Sequence, residues 1–270
     1  MNIFVCFRFF GGDFLTEMAI SVDLLNYEIK EGGSIKDISF SFTKGGIHGI
    51  LSPFGVDASL TLELLSGIRQ PDSASLSLDG QAVDVSSVDW KKKIGYVPKA
   101  PEFYRDLTVY ELLDFVGEAR GVSAELRLRQ IEEALELVGL DGLAHRLVCR
   151  LSEGEKKRLS LAAALLGNPS ILLFDTSTPE FFDLIRMLGK HKTVILSSGD
   201  FEVMRELCED VVILSDGALL ASGTFSELEA QLARSEEKQS LAEVYASVEE
   251  LSKENSNKRS SILSREEMGR

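Results

Sequence analysis

The sequence predicts an α/β protein with a largely parallel sheet core, an N-terminal antiparallel β-subdomain and an inserted helical subdomain. Three observations predict it. Two runs of alternating apolar residues, Ala19 to Leu25 and Ile35 to Phe42, flank Glu31-Gly32-Gly33, the pattern of a hairpin. Short apolar runs at 47–51, 171–175, 193–197 and 211–214 are separated by helical segments, which points to parallel strands joined by crossovers. Between them, 109–119 and 124–137 carry apolar residues at helical spacing and lie together as an insertion.

Taken in order, Met1 to Phe10 is apolar and aromatic but lacks the basic start and small-residue cleavage site of a secretory signal. Residues 1–17 therefore read either as a short extension packed on a sheet edge or as sequence upstream of a biological start at Met18. Residues 18–236 form one body, with the helical subdomain at about 100–167. Within it, Ile47 to Leu51 is a short buried strand, and Leu60 to Ile68 has helical periodicity. Leu76-Ser77-Leu78-Asp79-Gly80 ends another hairpin arm. Ser152 is a sound N-cap for a helix running through Leu166, which Asn168-Pro169 stops. A stripe of Leu241, Val244, Tyr245, Val248 and Leu251 predicts a C-terminal helix over 237–252. Residues 253–270 are rich in Ser, Glu, Lys, Arg and Asn, the composition of a disordered charged tail.

The 270 residues suffice to bury a substantial core, and the net charge of −14 argues against a nucleic-acid surface, whose footprint is basic. Cys6, Cys149 and Cys208 share no metal spacing and leave an odd count, so a reduced cytosolic setting is the plain reading. No run approaches the roughly 18 apolar residues of a spanning helix, so the protein is expected to be soluble or held at a membrane only through partners. His48, His145 and His191 have no carboxylate or cysteine at catalytic or ligand spacing and read as structural or exposed. Lys91-Lys92-Lys93 reads as surface.

The most informative segment runs from Gly49 to Leu60. It joins an apolar strand to an amphipathic helix, as a phosphate-binding loop does. A loop of the GxxxxGK[ST] type needs glycines so that backbone N–H groups close around phosphates, a lysine for the β- and γ-phosphates, and a Ser/Thr hydroxyl for Mg²⁺. Here Ser52 stands at the first glycine, Asp57 at the second and Ala58 at the lysine, while Ser59 keeps the hydroxyl. Further on come Leu151-Ser152-Glu153-Gly154-Glu155-Lys156-Lys157-Arg158-Leu159 and Asn168-Pro169-Ser170-Ile171-Leu172-Leu173-Phe174-Asp175. These resemble the signature motif and Walker B strand of the ATP-binding-cassette (ABC) family. Ile94 to Lys99 is similar to that family's Q-loop approach, Asp106 to Val109 to its entry into the helical subdomain, and Thr193 to Asp200 to its switch strand. The resemblance spans about Met18 to Glu250, in the family's order, and implies a P-loop NTPase-like core.

It also implies what is missing. The family's water-polarising glutamate corresponds to Thr176, its switch histidine to Gly199 and its Q-loop glutamine to Lys99, so no catalytic residue is assigned. Ser177 to Phe182 does not resemble the D-loop. An Asp57 carboxylate beside a triphosphate would add repulsion, about 4 kcal/mol for a charge pair at about 4 Å and an effective dielectric near 20. Ser52, Gly55 and Ser59 are thus a remnant phosphate loop, and Ser59 with Asp175 a remnant Mg²⁺ site. The helix N-terminus at Ser59 still favours an anion, so weak residual binding is the alternative. Adenine stacking would fall to Tyr27 or, on the better alignment, Ile29.

Ser152 and Gly154 retain the signature residues that, in this family, reach the γ-phosphate held by the other subunit of a head-to-tail dimer. The local reading of Ser152 is a helix N-cap alone. The resemblance therefore implies a degenerate subunit without tightly bound ATP or Mg²⁺ in cis. Such a subunit would pair as a heterodimer with an active ATPase and couple to transmembrane permease subunits, at the inner face of the membrane through those partners. The C-terminal run Gln239 to Tyr245 is similar to that of single-domain export subunits. The alternatives are an active ATPase in which Lys99 or another cation replaces the lost lysine, and a soluble regulator without a transporter.

Overall fold

The computed structural model describes residues 18–28, 34–175, 179–233 and 240–253. Two sheets are stacked around helix α1 (Val56–Ser66). The first is antiparallel, in the order β2-β1-β4-β5: β1 (Met18–Glu28), β2 (Ser34–Thr43), β4 (Ser73–Leu78) and β5 (Gln81–Val83). The second has six strands in the order β10-β9-β3-β8-β7-β6: β3 (Ile47–Leu51), β6 (Ile94–Val97), β7 (Ile171–Phe174), β8 (Thr193–Ser198), β9 (Asp210–Ser215) and β10 (Ala218–Thr224). Its pairings are parallel except β9–β10.

Strands β3, β7 and β8 are buried at every position, as strands covered on both faces must be. One face packs on α1 and the antiparallel sheet through Ile50, Leu62, Leu65, Leu173 and Phe42. The other packs on the helical insertion α2 (Val109–Ala119), α3 (Ala124–Val138) and α4 (Glu153–Leu165), and on α5 (Phe182–Gly189) and α6 (Phe201–Leu207). Helix α7 (Phe225–Ala233) and helix α8 (241–253) complete the described chain.

Four helices start with the same device. Thr108/Glu111 at α2, Ser152/Glu155 at α4, Thr224/Glu227 at α7 and Ser240/Glu243 at α8 exchange side-chain and backbone hydrogen bonds over three residues, satisfying amides that the helix leaves unpaired.

The expected elements are present, with shifted ends. Helix α1 starts at Val56 rather than Leu60, because Pro53–Gly55 forms a 3-10 turn that leads directly into it. Helix α8 begins after Ser240, its capping residue, and extends to 253. Strand β10 was not expected. It follows Asp216-Gly217, both at positive φ (50° and 77°), an Asp-Gly hairpin turn. The Glu31-Gly32-Gly33 turn, the 1–17 extension and the tail from 254 lie outside the described residues.

That same turn joins the sheets. The Gly217 carbonyl accepts from Lys36 N–H at 2.9 Å, and a Cβ on Gly217 would lie 1.5 Å from Ser34 O, so no other residue fits. His48, 1% exposed in β3, provides a second tie. Its Nδ1 meets Asp210 Oδ1 at 2.7 Å, and its Nε2 meets Gly45 O at 2.8 Å and Thr43 O at 3.0 Å. Its carboxylate partner thus lies 162 positions away, out of reach of sequence spacing. With acceptors at both ring nitrogens, the imidazolium fits best. Burial lowers the His48 pKa, but the Asp210 and Gly45 bonds outweigh it and the net shift is upward from 6.5.

A raised folded-state pKa gives stability that is complete below the unfolded value near 6.5 and lost as pH rises through the folded value. Asp210→Asn should therefore cost about 1.5–3 kcal/mol at pH about 6 and less at pH about 9, read by urea denaturation at both. An equal loss at the two pH values would mean that His48 is neutral throughout.

Candidate nucleotide site

The parallel register sets the site. Leu51 pairs with Ser198 and Phe174 with Leu196, so the C-terminal ends of β3, β7 and β8 bring Ser52, Asp175 and Gly199 to one edge, where ligands bind in open parallel sheets.

Ser52 is fully buried. Its N–H donates to Ser198 O at 3.1 Å, and its Oγ accepts the Ala58 N–H at 3.0 Å, while its carbonyl takes the Gly55 N–H at 2.8 Å. Two amides of the loop are therefore engaged by the residue that replaces the first glycine. Phe54 and Gly55 turn the chain at φ 59° and 70°, and the Phe54 side chain is exposed. Asp57, expected to face a triphosphate, instead accepts the Gly217 N–H at 3.0 Å and ties α1 to the β9–β10 turn. Ala58 is buried and brings no cation.

Asp175 lies at the centre, 6% exposed. Its Oδ1 accepts from Ser59 Oγ at 2.6 Å and Ser197 Oγ at 2.5 Å, and its Oδ2 from Tyr96 at 3.4 Å. Burial and the neighbouring carboxylate raise the Tyr96 pKa, so the phenol stays a donor. Among the described residues no cation pairs with Asp175. Ser197 and Tyr96 were missed as site residues because the sequence offers them only as members of strand motifs. Ser59 and Asp175, expected as a remnant Mg²⁺ site, lie within hydrogen-bond distance of each other.

Gly199 abuts the loop. A Cβ there would lie 3.0 Å from Gly55 N and 3.2 Å from Phe54 N. Its carbonyl accepts from Tyr245 of α8 at 3.1 Å, and Tyr245 stacks on Phe201. Further along α8, Ser252 bonds Ser215 at 3.0 Å and the Lys253 ammonium stands 5.7 Å from the Phe54 ring centroid. Lys99 is exposed beyond β6. Thr176 and Ile29 lie outside the described residues. Tyr27 is occupied elsewhere, its hydroxyl accepting from Arg69 at 3.2 Å.

Ser152 and Gly154 are not brought to this edge by any of these contacts. They open α4, with Ser152 exposed in its capping box. Hydrogen bonds from Ser152 hold the Glu155 carboxyl below its usual range. Glu180 lies next to Gly154 and pairs with Arg158 at 3.6 Å.

Gly199→Ala should destabilise the protein by about 0.5–2 kcal/mol, overpacking against the loop backbone outweighing the entropy gained by losing a glycine. Chemical denaturation measures it, and an unchanged or higher midpoint would mean that the loop yields freely.

Comparison with known proteins agrees with this geometry. Residues 35–179 match a family model described as ABC transporter. An uncharacterized ABC transporter ATP-binding protein, YxlF of Bacillus subtilis (strain 168), is 32% identical over 220 residues, covering 78% of this chain and 73% of its own. The Nod factor export ATP-binding protein I of Burkholderia lata is 30% identical over 213 residues, covering 75% and 70%. CbiO1 of Clostridium perfringens, described as part of the ABC transporter complex CbiONQ, superposes with a TM-score of 0.67 at 22% identity, over 85% of this chain and 98% of its own. With the strand–loop–helix edge, the helical insertion and the capped signature helix all in place, the chain belongs to the ABC transporter ATP-binding proteins.

Proposed function

We propose that the chain is a catalytically degenerate nucleotide-binding-type subunit that completes the ATP site of an active partner and couples it to membrane permease subunits. The observation that carries this is the state of the loop. Ala58 stands where an ammonium is needed, Ser52 holds two of the loop's amides, and the backbone at Gly199 rests against Phe54 and Gly55. Ser59 and Asp175 supply the hydroxyl and carboxylate oxygens that suit Mg²⁺. The triphosphate that would share that ion lacks its main anchor. At α4, by contrast, Ser152 is exposed and Gly154 leaves room for close approach.

The relatives support this choice of partners, one being named for export and a structural neighbour being described as part of a transporter complex. Among the described residues no helix is long and apolar enough to cross a membrane, so in this reading the subunit sits at the membrane through permease contacts. A cavity of about 250 Å³ between the end of β6 and the helical insertion, lined by Phe103, Val116 and Arg120, offers a permease segment a place to dock. Tyr104 and Phe115 form an exposed aromatic pair, 6.0 Å between centroids.

A second reading, an ATPase acting alone, draws on one observation: the Lys253 ammonium beside Phe54 places a cation at the loop. Calorimetric titration with Mg²⁺-ATP separates the two. No saturable binding is expected up to about 1 mM, and a micromolar dissociation constant, about 8 kcal/mol of binding, would overturn the degenerate reading.

The trans role has its own test in the assembled transporter. Ser152→Asp keeps a good N-cap, so subunit stability should stay within about 1 kcal/mol, but it sets a carboxylate against a phosphate. ATP turnover should fall by about 10²-fold. Unchanged turnover would leave Ser152 as a cap and nothing more.

A further inference from the structure

We propose that helix α8 is a strap across the nucleotide edge, holding the loop 52–59 closed, and that its release opens that edge to an anion. The strand order places it there. Strand β3 lies between β8 and β9 and runs parallel to both, so the three strands end on the same side. Just past β8, Gly199 O accepts from the Tyr245 hydroxyl at 3.1 Å, and at the last residue of β9, Ser215 Oγ meets Ser252 Oγ at 3.0 Å. Tyr245 and Ser252 stand seven residues apart, about 10 Å of helix, which matches two strand spacings of roughly 4.8 Å each. A helix tied to β8 and to β9 crosses the end of β3, where the loop emerges.

Helix α8 also grips the loop itself. Gly199 rests against the backbone of Phe54 and Gly55, so the Tyr245 bond bears on the loop through the switch strand. At a second point the Lys253 ammonium stands 5.7 Å from the Phe54 ring centroid. The groups that would still meet Mg²⁺ and phosphate, Ser59 and Asp175 with the first amides of α1, belong to the same edge. The strap is lightly built. Of α8 only Leu241 and Tyr245 are buried, while Glu243, Ser247, Glu250 and Leu251 are exposed. So short a helix is marginal on its own, and elements with few buried contacts open before the core does. The strap rests on the degenerate reading of the loop and adds a control to it: α8 keeps the loop shut, and the missing ammonium keeps binding weak once it opens.

Hydrogen exchange of the full chain, read by mass spectrometry, tests this with Tyr245→Ala and with Tyr245→Phe, which keeps the ring stacked on Phe201. Residues 52–60 are expected to exchange at least about tenfold faster in Tyr245→Ala, and about two- to tenfold faster in Tyr245→Phe, the span of one hydrogen bond. Strand β7 should not change. Millimolar Mg²⁺-tripolyphosphate should slow the loop again in the variants and leave the unsubstituted chain as it was. If Tyr245→Ala loosens the whole sheet, Tyr245→Phe decides. Loop exchange that is unchanged in Tyr245→Phe, or faster but indifferent to tripolyphosphate, would overturn the strap and leave the degenerate reading standing. Slowing by tripolyphosphate in the unsubstituted chain would also overturn it, since the edge would then be open with α8 in place. Micromolar ATP binding by the variants alone would uphold the strap and defeat the degenerate reading.

Discussion

The structure depends on the parallel register of β3, β8 and β7. Because Leu51 sits beside Ser198 and Phe174 beside Leu196, the chain leaves all three strands at one edge, and whatever follows them must coexist there. Three fully buried strands cannot slip without exposing or burying the wrong residues. Ser52, Asp175 and Gly199 are therefore neighbours by construction, whether or not they handle a nucleotide. The edge is fixed by strand packing and does not depend on a bound phosphate.

Internal hydrogen bonding occupies this edge. A buried carboxylate without a cation is costly unless its oxygens are met, and Asp175 is met by Ser59, Ser197 and Tyr96. Ser52 Oγ takes an amide of the loop. Asp57 turns to the Gly217 N–H, which also changes the electrostatic account. Its charge serves as a tether between α1 and the sheet junction, so the weak phosphate binding proposed above rests more on the missing ammonium and the engaged amides than on repulsion. The changes are mutually supporting: Gly199, lacking a side chain, is what lets the loop settle against the switch strand.

Much of this was legible because it is local. Apolar alternation marked β1 and β2, buried runs marked β3, β7 and β8, and Ser152 as an N-cap marked the start of α4. The order of the remnant motifs fixed the family where no single motif could. What stayed hidden is set by long-range contacts: His48 with Asp210, Asp57 with Gly217, Tyr245 with Gly199. No spacing rule reaches across 162 residues. Strand β10 had a readable Asp-Gly turn, but its half-exposed residues give only a weak apolar alternation.

The two halves of the family's chemistry have been treated differently, and capping explains part of the difference. The Ser152–Glu155 box recurs at Thr108, Thr224 and Ser240, so the bonds within it are general to this chain and do not by themselves mark a phosphate site. What sets α4 apart is Gly154, two residues after the cap, where a side chain would have cost the helix nothing. Glycine inside a helix is disfavoured by roughly 1 kcal/mol relative to alanine, and a Cβ at 154 would meet nothing closer than a Glu180 oxygen at 3.9 Å. Packing within the subunit does not demand the glycine, whereas the role proposed for α4 at a partner's ATP would.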